Sequence, residues 1–173
     1  MDGAQPAPQP QVIIRTLGRF EVVVHGRPVT DDAWPDRPTR DLLAVLVSRR
    51  GRPVPRHELA GLLWQHRPDR GGRRLAAAVS RLRGVLDPHR QAAADHYVLL
   101  DSTSVTPVVA HLHIDLELFL AEAAHGLHQA DRGRPELARV ALANAERRYT
   151  GDFLEGEPDE DWARPARERA RTL

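Results

Sequence analysis

The chain has 173 residues, of which 41% are hydrophobic and 28% charged, so a buried core is attainable; it has no cysteine, which excludes disulfides, thiolate metal sites and cysteine catalysis. A formal net charge of +1 hides a division: residues 1–90 hold 16 Arg against 9 Asp and Glu (+7), and residues 91–173 hold 9 Arg against 15 Asp and Glu (−6). That split suits a half that meets nucleic acid joined to a half that meets protein.

Residues 1–11, rich in Pro, Gln and Ala, read as a disordered tail with little to bury. They lack a basic segment followed by an apolar core, and the apolar runs elsewhere are short, as in Leu42 to Val47. No signal peptide or membrane span is expected, and the location expected is the cytoplasm. From Val12, the run VIIRTLGRFEVVVHGRPV reads as short antiparallel strands broken at Leu17-Gly18 and His25-Gly26. Arg37-Pro38-Thr39 opens a helix with Leu42, Leu43, Leu46 and Val47 on one face, closed by Gly51 and Pro53. Pro55 starts a second helix, with Leu59, Leu62 and Leu63 inside, that ends near Trp64, itself a core residue. After the turn-rich segment at 65–72, in which Asp69 can cap, a third helix runs to Asp87-Pro88. Two apolar stretches around Asp101-Ser102-Thr103 form a hairpin.

From Asp115 the pattern is helical. Leu116, Phe119, Leu120 and Ala123 mark one inner face; Leu137, Val140, Ala141, Ala145 and Tyr149 mark the next, on a helix opened by Pro135. The last helix starts near Asp161, because Pro165 is tolerated only in a first turn. The domains expected are therefore 12–110 and 111–173.

The third helix is the most informative stretch. At about 100° per residue, Leu75, Val79, Leu82 and Leu86 fall in one arc, while Arg73, Ala77, Ser80, Arg81 and Gly84 lie opposite, flanked by Arg74 and Arg83. Small residues at the centre of that face let a backbone approach a groove, and arginines around them reach phosphates and guanine edges. A solvated basic face is the plainer reading of such a helix taken alone.

Taken together, the N-terminal strands, the two helices of residues 37–64, the LAAAVSRLRGVL helix, and the later segments Asp115 to Phe119, AERRYTGDFLEG, Trp162 and Arg167 resemble the SARP (Streptomyces antibiotic regulatory protein) family of transcriptional activators. The resemblance implies an α+β winged helix-turn-helix of the OmpR/PhoB type followed by all-α TPR-like helical hairpins, the first part of a bacterial transcriptional activator domain. It implies DNA contact by Arg73, Arg74, Ala77, Ser80, Arg81 and Arg83 in the recognition helix. Phosphates fall to Arg37, Thr39, Arg40, Arg56 and His57 at helix starts, where backbone N–H groups also point outward. Ser102, Thr103 and Ser104 at the hairpin tip would be the wing. The partners implied are double-stranded DNA, bound at direct repeats near promoters, RNA polymerase, met through the loop at 65–72, and a second copy as a homodimer on DNA; the regulated genes would serve secondary metabolism, at the nucleoid. The acidic stretch at 155–161 is a second candidate partner surface.

Enzyme readings find little support. The nine His are scattered, Glu122-x-x-His125 occurs as a single copy on an Ala-rich helix, His111 and His113 alternate on a strand-like stretch, and no Walker A, GxSxG or GxGxxG motif occurs. No cofactor, metal or catalytic residue is expected. The competing reading is a protein-interaction adaptor of a larger regulator, with a vestigial winged helix.

Overall fold

The computed structural model describes residues 11–64, 71–155 and 161–172. Strand β1 (Val12–Arg15) pairs antiparallel with β2 (Glu21–Val24), which pairs with β3 (Arg27–Pro28). Val12, Ile14, Val22 and Val24 are buried along one face, the period-two alternation that a sheet on a core requires. His25 and Gly26 both have positive φ, +48° and +76°, the two-residue turn whose twist suits a hairpin. Gln11 falls within the expected tail. Gln11 is held by His25 N–H to its carbonyl and by the Tyr97 hydroxyl to its side chain.

Helix α1 (Arg37–Ser48) is capped by Asp36, whose carboxylate accepts from the Thr39 N–H at 2.8 Å, and carries Pro38 in its first turn. Every residue from Leu42 to Val47 is buried, so the four-residue inner face read from the sequence widens to the whole circumference, with Ala44 and Val45 included. The reason is position: α1 touches α2 (Arg56–Leu63), α3 (Gly71–Leu86), a wing strand and the turn at 161–163. Leu75, Val79, Leu82 and Leu86 of α3 all face inward with no exposure, and Ala78 joins them.

Beyond α3, β5 (Val98–Leu100) and β6 (Ser104–Pro107) form the expected hairpin. A third strand, β4 (Val54–Pro55), pairs Val54 with Val105 and so ties the start of α2 to the wing. Two residues carry no alternation, and this strand left no trace in the sequence pattern.

The second half is built into the first. Strand β7 (His113–Ile114) lies parallel to β1, giving the order β3-β2-β1-β7. Helices α4 (Asp115–Asp131) and α5 (Pro135–Arg148) form a helical hairpin, so the fold is a winged helix followed by a TPR-like helical part. Here one expectation is corrected: Leu137 and Val140 are 53% and 51% exposed, while Ala138, Ala141 and Ala145 face α4. The close approach selects for small residues; Leu142 lies so near Gly126 that a Cβ there would sit 2.7 Å from its Cγ. Glu122, of the single Glu122-x-x-His125 spacing, accepts two bonds from Arg148 at 2.7 and 3.0 Å across the hairpin.

The chain then returns to β1. Leu154 N–H bonds the Thr16 carbonyl, Gly18 N–H bonds the Asp152 carbonyl, and Phe153 and Leu154 are fully buried. Arg167, on α6 (Arg164–Arg171), donates to the Phe153 and Leu154 carbonyls. Pro165 stands in the first turn of α6, where its missing N–H costs nothing. No helix among the described residues is long and apolar enough to cross a membrane.

Candidate nucleic-acid interface

The inward stripe of α3 fixes which side faces out. Arg73, Ala77, Ser80 and Gly84 are exposed and Arg74 is half-buried. Ala77 and Ser80 put only small side chains at the middle of this face, so another surface can approach the helix backbone closely, with Arg73 within reach at one end.

At the flank, Arg81 is held by α1. Its Nη2 lies 3.0 Å from the Asp36 carboxylate and its Nε donates to the Thr39 hydroxyl at 3.3 Å. Asp36 therefore caps one helix and orients an arginine of another. The sequence carried a signal for it, an Asp three residues before Thr39 with a proline between, which is an N-cap signature. Arg83 turns the other way. Its Nε and Nη2 both donate to the Val98 carbonyl, at 3.0 and 2.7 Å, bracing α3 against β5.

The helix starts divide. Arg37 is exposed and pairs with Asp41 at 3.3 Å, and Arg40 lies over the Phe20 ring at 4.9 Å from its centroid. Thr39 is corrected: it is fully buried, its N–H on Asp36 and its hydroxyl on Arg81, and a phosphate has no access to it. On α2, His57 is exposed, and Arg56 donates to the Asp101 carbonyl at 3.2 Å, which joins the start of α2 to the wing turn.

That turn is organised by one carboxylate. Asp101 accepts from the N–H groups of Thr103 and Ser104 at 2.6 and 2.7 Å and from both their hydroxyls. The Thr103 N–H, then the Ser104 hydroxyl and the other two donors, hold the Asp101 carboxyl far below the usual carboxylate range. Ser102 and Thr103 are exposed at the tip. Ser104 is corrected as a wing contact, because it belongs to β6 and is 9% exposed with its hydroxyl spent on Asp101. The sequence-predicted loop at 65–72 lies outside the described residues over 65–70, as do the cap at Asp69, residues 156–160 of the acidic stretch, and residues 1–10 of the tail. Trp64 packs half-buried against the core. Among the described residues no three His, Cys, Asp or Glu side chains converge as a metal site.

A three-helix unit with a wing, an open small-residue face on its third helix and a helical hairpin locked to its sheet is the architecture of an OmpR/PhoB-type winged helix with a helical extension. Residues 36–99 match the family model described as "Transcriptional regulatory protein, C terminal", and residues 114–173 match "Bacterial transcriptional activator domain". This pairing of domains is consistent with the SARP family of transcriptional regulators. It is similar to the transcriptional regulatory protein EmbR of Mycobacterium tuberculosis and of Mycobacterium bovis, 33% identical over 155 residues, which cover 86% of this chain and 38% of each relative. The solved structure of Mycobacterium tuberculosis EmbR in complex with a low affinity phosphopeptide superposes with a TM-score of 0.77 at 26% identity, covering 94% of this chain and 42% of that one. The chain thus spans roughly two-fifths of the length of these relatives.

Proposed function

We propose that this chain is a sequence-specific DNA-binding transcriptional activator, acting at the nucleoid in the cytoplasm. The observation that carries the reading is the outward face of α3, on which Arg73 flanks the exposed, small Ala77 and Ser80 while the opposite stripe is fully buried. In this reading α3 enters the major groove, where small residues allow close approach and arginines read guanine or phosphate. Arg73, Arg74 and Ser80 contact DNA directly; Arg81 does so by exchanging Asp36 for the nucleic acid, and Arg83 with the donors it does not give to Val98. Arg37, Arg40, Arg56 and His57 track the backbone, and Ser102 and Thr103 meet the minor groove.

The family's habits extend this to direct repeats near a promoter, bound by two copies, with RNA polymerase recruited beside them and secondary metabolism as the output. Selection of genomic fragments by the purified chain tests the reading. A repeated motif should emerge and bind far better than its scrambled form, with an affinity that falls steeply as added salt makes counterion release less favourable. Weak binding with no enriched motif would sink the activator and favour an adaptor.

A further inference from the structure

A cleft of about 480 Å³ opens at the seam of the two halves, between the C-terminal end of α1 and helices α4 and α6. Arg49, Arg50 and Arg52 line it from one side and Arg169 from the other, with Leu116 and Leu120 as its apolar floor. Among the described residues no carboxylate lines it. Two of the guanidiniums are engaged from behind: Arg49 with Glu58 at 2.5 Å, and Arg50 with both oxygens of Glu117 at 2.8 and 2.9 Å. Arg52 and Arg169 have no acidic partner among the described residues, so the cleft keeps an excess of about two positive charges.

At its edge, the Nε of Arg49 is buried and has no hydrogen-bond partner among the described residues. A buried N–H of a charged group is costly to leave unmet, and such orphans are rare in folded proteins. The chemistry of the lining selects the partner. Guanidiniums from two separate elements on one cleft suit a phosphate, and the volume is that of a small-molecule site. Neither α3 nor the wing lines the cleft, so this site is separate from the face proposed to meet DNA.

We infer that the seam cleft bounded by Arg49, Arg52 and Arg169 binds the phosphate group of a small phosphorylated molecule, seated between the winged helix and the helical half. The inference stands independently of the DNA-binding reading. Such a ligand bridges α1 and α6 and links its own concentration to how firmly the two halves are held.

Calorimetric titration of the whole chain with inorganic pyrophosphate at low salt is the test. Saturable binding is expected, weakened at least about tenfold in the double variant Arg52→Gln/Arg169→Gln, since each lost charge-assisted bond is worth that factor or more. In the unsubstituted protein, the Arg49 Nε–Hε resonance should shift on titration, a readout that does not depend on the variant folding. No saturable heat at millimolar pyrophosphate would overturn the inference. Equal binding by the double variant, with Arg49 unmoved, would overturn it too, placing the anion elsewhere, as would loss of DNA affinity in that variant without any pyrophosphate site, which would assign these arginines to the DNA backbone.

Discussion

Arg81 on α3 and Asp36 at the N-cap of α1 are joined by an ion pair of 3.0 Å, so the arginine flanking the exposed face of the third helix is restrained by the residue that begins the first. Two substitutions separate capping from restraint. Asp36→Asn keeps a side-chain oxygen for the Thr39 N–H, and Asn caps as well as Asp, so stability should change by less than about 1 kcal/mol. With Arg81 released, affinity for the selected DNA should rise several-fold. Arg81→Ala should cost about 1–3 kcal/mol of discrimination between the chosen site and its mutated form, but only ~0–1 kcal/mol of stability, because both side chains of the pair are more than a third exposed. Fluorescence anisotropy and urea unfolding of the two variants check this; a weaker Asp36→Asn complex would mean that Arg81 works only when held.

Leu82 lies one residue from Arg81, about 100° round the helix, and points into the core with no exposure. Leu82→Ala should therefore destabilise the fold by about 2–5 kcal/mol through lost burial and the cavity left behind. DNA affinity of the fraction that remains folded should be unchanged. Equal losses of stability in Leu82→Ala and Arg81→Ala would falsify the assignment of faces on α3.

The faces of α3 were legible because one amphipathic helix writes its own geometry: Leu75, Val79, Leu82 and Leu86 recur at helical spacing, and each is buried. The hairpin turn at His25-Gly26 and the entry of α1 at Pro38 were legible for the same local reason. What local pattern does not carry is the partner of each element. Leu137 and Val140 fit a helical stripe yet face outward, because the neighbouring helix admits only the small side chains of Ala138 and Ala141 at close range. Arg83 reads from the helix alone as a free outward arginine, and the Val98 carbonyl that takes two of its donors arrives only with β5. Thr39 sits at a helix start, where phosphates are met, but the arginine that covers it comes from 42 residues away. The return of Phe153 and Leu154 to β1 has no periodicity to announce it.

Asp115 ties α4 to the residues that follow the first strand. Its carboxylate accepts from the N–H and hydroxyl of Thr16 at 2.8 and 2.7 Å, from the Leu17 N–H at 2.9 Å and from its own neighbour Leu116 at 2.7 Å. Thr16 and Leu17 are buried, and water cannot replace the acceptor. Asp115→Ala should cost about 1–3 kcal/mol for each backbone donor left unmet. Hydrogen exchange should show both amides losing protection while those of α3 keep theirs. An unchanged unfolding curve would mean that the Leu154 and Gly18 backbone bonds hold the seam without Asp115.

Acid should reveal two carboxylates at once. Asp152 is held well below its ordinary range, first by the Arg171 guanidinium and then by the Tyr149 hydroxyl, and Asp101 is held there by the Thr103 N–H and its companions in the wing turn. A carboxylate whose folded value is depressed binds a proton more readily in the unfolded chain, whose value is about 3.9. Its contribution is therefore complete above that value and is lost progressively as pH falls below it. Stability from these two groups should be level between about pH 7 and 5 and decline below about pH 4. Asp152→Asn and Asp101→Asn should each be less stable at pH 7, where the charge is missing, and should each show a shallower decline in acid, so that each curve draws closer to the parent's as pH falls. Denaturant unfolding across that range decides it: a variant curve parallel to the parent's at every pH would mean that the substituted carboxylate titrates alike in the folded and unfolded chain, and that acid acts on the fold through other groups.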